Sequence, residues 1–155
     1  MSYWESLSQE IKKTIQQERI GTLVFVRGTL ILSAKAEKDC GLVGALLAEV
    51  SHWFSIAPHQ LYATGQTDTD VVSVSLEFPT GATALISMAF GQAQSHIDLS
   101  VIGNLGAAYH RENLNWLDEP QVPDTLPALA QSLAKAVSES LTTGNSKIIE
   151  SETVS

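Results

Sequence analysis

Between Val72 and Phe90 the chain alternates apolar with small or polar residues. Val72, Val74, Leu76 and Phe78 are separated by Ser73, Ser75 and Glu77, and beyond Pro79-Thr80-Gly81 the apolar series resumes at Ala84, Ile86, Met88 and Phe90. Successive side chains of a strand point to opposite faces, so this spacing specifies two strands joined by a tight turn, each apolar on one face. A slip of one residue would turn every apolar side chain outward, which sets the register. Ile97, Leu99 and Val101 against Asp98 and Ser100 repeat the pattern. One-sided strands with short turns predict an antiparallel meander covered by helices on its apolar face, not a parallel sheet buried on both sides.

The flanking segments supply those helices. Trp4, Leu7, Ile11 and Ile15 make one stripe at three- and four-residue steps and predict a helix over 2–19. After Ile20-Gly21, residues 22–32 are rich in β-branched and aromatic side chains and read as a long strand. A polar loop over 33–40 leads to a second helix over 41–56, with Val43, Leu46, Leu47, Val50 and Phe54 on one side and Pro58 beyond its end. The two-residue period starts at Gln60. After a turn at Gly103-Asn104-Leu105-Gly106, residues 107–110 and 114–117 read as two short strands, and 120–127 as a loop. A third helix over 129–141 is stopped by Gly144-Asn145, and 147–149 adds an edge strand. The fold class is therefore α+β: a mostly antiparallel sheet with helices packed on one face and the other face open to oligomerisation. The expected organisation is a single domain over 1–150 with a frayed tail over 151–155.

Charge and composition exclude some functions. Hydrophobic residues make up 44% and charged ones 17%, the balance of a folded domain, and a net charge of −8 disfavours nucleic acid, whose phosphates need a basic face. Lys12, Lys13 and Arg19 lie beside Glu10 and Glu18 and read as a solvated helix face. Cys40 is the only cysteine, so no internal disulfide forms, and it reads as a buried bystander. The first eleven residues lack a basic-then-apolar leader pattern, and no apolar run approaches the ~20 residues that span a bilayer. A cytoplasmic location without membrane partners is expected.

Other chemistry-bearing residues have plain readings. Glu49 and His52 lie three apart on a helix and can pair. His96 and Asp98 share a strand face and, with His110, read as surface cross-strand groups rather than a metal site; His59 has no evident partner. Trp4 and Trp53 read as core anchors, and Trp116 as core or as a platform for stacking a sugar. Ser73, Ser75, Glu77, Thr83, Ser87 and Ser100 line the strand face away from the helices, interrupted by Leu85, Ala89 and Ile102. Such a face of small side chains either stays solvated or lies flat against another.

Four stretches, residues 15–27, 71–88, 99–107 and 133–149, together resemble the C-terminal half of the Gfo/Idh/MocA (glucose–fructose oxidoreductase-like) dehydrogenases: helix end and opening strand, Gly-bounded hairpin, strand with a Gly103-x-x-Gly106 turn, and terminal helix with a closing strand. The family places an Asp, a Gly, a His and a second Asp on the second helix, with a Trp four residues on. Anchored on Trp53, those positions fall at Leu42, Gly44, Leu46 and Glu49. The family's His serves as general acid–base beside the reacting sugar hydroxyl, a task leucine cannot perform. The resemblance implies Gly44 and Glu49 as substrate-contacting positions and no catalytic residue; Trp116 joins them as the candidate sugar-stacking platform. It also implies an oligomer interface at Ser73, Ser75, Thr83, Leu85, Ser87, Ala89, Ser100 and Ile102, because the family commonly associates through this sheet face. No Gly-x-Gly-x-x-Gly motif is present, so no cofactor is expected on this chain, and NAD(P) enters only if another chain supplies a Rossmann fold. The expectation is a stand-alone, non-catalytic relative that forms a homodimer. The alternatives are the substrate-binding subunit of a split NAD(P)-dependent sugar or polyol oxidoreductase, and a module that binds a small sugar-like ligand.

Overall fold

Among the described residues, three helices and seven strands follow one another as α1 (Tyr3–Gln16), β1 (Leu23–Ile31), α2 (Gly41–Phe54), β2 (Gln60–Gly65), β3 (Val71–Glu77), β4 (Thr83–Ala89), β5 (Ser95–Gly103), β6 (Ala107–Leu114), α3 (Ala128–Thr143) and β7 (Lys147–Ile148). They come from a computed structural model that describes residues 3–35, 40–65, 70–115 and 118–149. The residues of the expected tail, 151–155, lie outside that description, as does Trp116. No helix among the described residues is long and apolar enough to cross a membrane.

The strands form one sheet in the order β6-β5-β1-β4-β3-β2-β7, antiparallel throughout except where β1 runs parallel to β4. The hairpin of β3 and β4 pairs Val74 with Ile86 and Leu76 with Ala84, in the register set by the alternation. The simple meander is corrected. β1 sits between β4 and β5, so those two strands are not neighbours. Alternation tells which face a side chain takes, but not which strand lies beside it. The connection after β4 passes the end of β1, where the Gly91 and Gln92 N–H groups donate to the Ala34 and Leu32 carbonyls at 2.7 and 3.0 Å.

A second correction concerns residues 107–114, which form one strand paired to β5 along its length, from Ala107 opposite Ile102 to Leu114 opposite Ser95. Arg111, Glu112 and Asn113 read as a break because they are polar. They belong instead to an exposed edge, where charged side chains are common because they deter further pairing.

The helix ends are set by backbone conformation. α1 stops at Gln16, short of the expected 19, because Glu18 and then Gly21 turn left-handed at φ 57° and 75°. Ser55 does the same at φ 60° and ends α2 before Ile56, its N–H donating to the His52 carbonyl at 3.1 Å.

All apolar faces meet on one side of the sheet. Val26, Leu30, Val74, Leu76, Ile86, Ile97, Leu99 and Val101 are buried there under Leu46, Leu47, Val50 and Trp53 of α2. α2 is buried at every position except Ala45, Glu49, His52 and Phe54. Ala45, Glu49 and His52 are spaced four and three apart and share one face. That face is where α2 meets open space.

Candidate functional site

The polar face of α2 looks toward α1, whose apolar stripe brings Ser8 and Lys12 with it. The Trp53 indole N–H donates to Ser8 Oγ at 2.8 Å, and the Ser8 hydroxyl donates in turn to the Glu49 carboxylate. Lys12 Nζ lies 2.9 Å from Glu49 Oε1, and His52 Nδ1 lies 3.7 Å from Glu49 Oε2. Lys12, read from sequence as part of a solvated cluster, thus reaches across to the second helix. Trp4 and Trp53 close the layer beneath, with ring centroids 6.0 Å apart.

These residues border a cavity of about 290 Å³ between α1, α2, the segment after β6 and the start of α3. Its apolar lining includes Leu42, Leu46, Trp4 and Ala130; its polar lining includes Lys12, Glu49 and His52, with Pro120, Gln121 and Pro123 opposite. The segment bearing those last three is fixed by buried Glu119, whose carboxylate accepts from the Ser33 N–H at 2.5 Å and from the Ser33 hydroxyl. Satisfying both carboxylate oxygens makes this buried acid tolerable and positions the cavity wall.

Three of the four residues aligned with the family's helix therefore border one cavity: Leu42, Leu46 and Glu49. Gly44 is not part of that lining. It faces α3, where a Cβ would stand 2.3 Å from the Ala130 carbonyl oxygen and 2.7 Å from Ala134 Cβ. The sequence reading missed Ser8, Lys12 and Glu119, which act over separations of 41 residues for Ser8 to Glu49 and 86 for Glu119 to Ser33 and leave no local pattern.

Electrostatics set what the cavity can do. Burial pushes the Glu49 carboxyl up, but the Ser8 hydroxyl, the Lys12 ammonium and His52 outweigh it and hold the group below the usual carboxylate range. Glu49 is thus ionised at neutral pH. It can accept hydrogen bonds or attract a cation, but it holds no proton to give. A depressed folded pKa adds stability that is complete above the unfolded value, about 4.3, and lost as pH falls through the folded one. Glu49→Gln is expected to flatten the acid limb of stability against pH below about pH 5, measured by urea unfolding at stepped pH. An acid limb identical to that of the parent would show that the contacts to Glu49 do not stabilise the fold.

The opposite face of the sheet is open. Cross-strand register places Tyr62, Ser75, Leu85, Arg27, Ser100 and Tyr109 in one row, and Glu77, Thr83, Phe25, Ile102 and Ala107 in the next. All eight residues expected on this face lie on it: Ser73, Ser75, Thr83, Leu85, Ser87, Ala89, Ser100 and Ile102. They alternate with the buried positions of β3, β4 and β5. Ser73 and Ser87 hydroxyls pair at 3.1 Å. The central strand adds Phe25, Arg27, Thr29 and Ile31, and Tyr62, Val71, Leu85 and Tyr109 are exposed apolar side chains among them. Asp98 pairs across to Arg111 at 3.2 Å and His96 Nδ1 to Asn113 Oδ1 at 2.9 Å, while His110, opposite Leu99, turns to the other face. No group of three metal-ligating side chains occurs among the described residues.

No family model matches the sequence, and no curated protein matches it. Solved structures do match. A myo-inositol dehydrogenase from Corynebacterium glutamicum superposes with a TM-score of 0.71 at 16% identity, over 94% of this chain and 62% of that one. A myo-inositol dehydrogenase from Lactobacillus casei, solved in complex with NAD(H) and myo-inositol, gives 0.72 at 13% identity, over 94% and 59%. A scyllo-inositol dehydrogenase from the same species gives 0.68 at 11% identity, over 93% and 60%. The chain spans about three-fifths of the length of the structures it matches. The resemblance to the C-terminal half of the Gfo/Idh/MocA dehydrogenases thus holds for the fold. The residues present do not fit a dinucleotide of their own. Among the described residues two strands are followed by a helix, β1 by α2 and β6 by α3, and the sequence between them, 32–40 and 115–127, holds no glycine, so neither connection carries a glycine-rich turn to cradle a pyrophosphate.

Proposed function

We propose that this chain is a non-catalytic relative of the C-terminal half of the Gfo/Idh/MocA oxidoreductases, acting as an association domain that forms a homodimer through its open sheet face. The carrying observation is the cavity lining. Leu42 and Leu46 stand where the resemblance implies an Asp and the acid–base His, and the remaining carboxylate, Glu49, is held ionised by Ser8 and Lys12. Neither leucine can take the proton that a hydroxyl must lose as hydride departs. Association is supported by exposed Tyr62, Val71, Leu85 and Tyr109, set among the short side chains of Ser73, Ser75, Thr83, Ser87 and Ser100. Multi-angle light scattering of the purified chain is expected to give twice the monomer mass, and incubation with NAD⁺ and myo-inositol to yield no absorbance of reduced nicotinamide. A monomer mass at micromolar concentration would remove the association half of the proposal, and turnover by the chain alone would remove the other.

One observation favours a second reading. The cavity stays open despite the leucines and keeps Lys12, Glu49 and His52 at its edge. In this reading the chain is the substrate-binding subunit of a split NAD(P)-dependent sugar or polyol oxidoreductase, with both the Rossmann fold and the acid–base group on another chain. Affinity capture from the native lysate would then return a stoichiometric nicotinamide-binding polypeptide. Capture of nothing but the chain itself would exclude this reading.

A further inference from the structure

We infer that two copies pack face to face with reciprocal Arg27–Glu77 ion pairs, about a two-fold axis that crosses β4 between Thr83 and Leu85. The inference rests on the sheet-face association proposed above and gives it a register. At ordinary strand spacings, the six longer strands present a face of roughly 750 Å², close to the ~800 Å² per partner of a stable interface.

Closing this face raises a problem of charge. Arg27 lies near its middle, between Leu85 on β4 and Ser100 on β5, and is exposed. Among the described residues it has no carboxylate within ion-pair distance, whereas the other arginine of the face, Arg111, is already paired to Asp98. Covering an uncompensated guanidinium is strongly unfavourable, so whatever covers the face must bring a carboxylate to Arg27. The same face carries one uncommitted carboxylate among the described residues, Glu77 on β3, exposed and without a cation of its own. Arg27 and Glu77 are two strands and one row apart, about 12 Å between Cα atoms, with Thr83 and Leu85 between them. Within one copy they do not meet.

A second copy supplies what the first lacks. In an isologous contact residue i meets residue j of the partner, and j meets i. When the two-fold axis lies in the interface plane, every residue faces the mirror image of its own position across that axis. Exchanging Arg27 with Glu77 therefore puts the axis midway between them, on β4, and brings Leu85 close to its own copy. Both charges of each chain are then neutralised without any group from outside. The occupant that this face fits is a second copy of the chain.

Charge reversal tests the register. In sedimentation equilibrium, Arg27→Glu and Glu77→Arg are each expected to weaken dimerisation at least tenfold. The double variant Arg27→Glu/Glu77→Arg should return it to within a few-fold of the parent. Both positions are exposed, and restoration by the double variant excludes misfolding as the cause. Unaltered single variants, or a double variant as weak as the singles, would overturn the pairing. Leu85→Asp separates the two levels. If it abolishes the dimer while the single reversals do not, the face is right and the register wrong; a monomeric parent overturns both.

Discussion

Gly44→Val is expected to lower the stability of the domain by about 3 kcal/mol, or roughly 6–12 °C in Tm at this size. Glycine inside a helix is ordinarily a weakness, about 1 kcal/mol worse than alanine, so at an open site a side chain would help. Here the first added carbon would lie 2.3 Å from a backbone oxygen, that of Ala130, and 2.7 Å from Ala134 Cβ. Neither atom belongs to a flexible side chain that can swing away, so α3 must shift bodily. α3 has little freedom to do so. Ala130, Leu133 and Val137 are buried in the core, and Ser140 Oγ accepts from the Ala63 N–H of β2 at 2.9 Å. Valine adds two methyl groups to that clash. Urea unfolding checks both the size and the order of the series: Gly44→Ala should destabilise, and Gly44→Val should destabilise further. A stabilised Gly44→Ala would mean that the helices cross more loosely than described.

The second large effect is expected at Leu85. Its side chain is 39% exposed in the isolated chain, near the middle of the open face, so aspartate there should leave monomer stability almost unchanged. In a face-to-face dimer the same carboxylate would be covered, and close to a two-fold axis it would face its own copy. Desolvation and like-charge repulsion then act together. Association is expected to weaken at least a hundredfold, about 3 kcal/mol. Sedimentation velocity over a dilution series, with the unfolding midpoint measured in parallel, separates lost association from lost folding. A dimer that persists at the parental concentration would place the contact on another surface.

How far the sequence foretold this arrangement depended on whether a signal was local. The faces of β3, β4 and β5 were legible because period two is a property of neighbouring residues, and the eight small-face residues followed from it. Leu42, Leu46 and Glu49, the positions counted back from Trp53, border one cavity because steps of four and three keep them on one helix face. The contribution of β1 to the open face was not legible. Leu23–Ile31 carries apolar side chains on both faces, Phe25 and Ile31 on one and Val26 and Leu30 on the other, so alternation could not single out the face of Phe25, Arg27, Thr29 and Ile31. Gly44 entered as a substrate-contacting position through the resemblance alone; its packing against α3 is a tertiary contact that no local pattern announces. The Ser8–Glu49 and Ser33–Glu119 contacts join residues far apart in the chain, and only the finished topology brings them within reach.

The central place of β1 has a consequence for how the chain assembles. Both strands that flank it, β4 and β5, come from residues 83–103, more than fifty positions later. During synthesis β1 must wait, its backbone edges unsatisfied, until those residues have been made. The hairpin of β3 and β4 can form from local contacts, but it remains separate from β5 and β6 until β1 enters between them. The slow step of folding is therefore expected to be the capture of an early strand by two late ones.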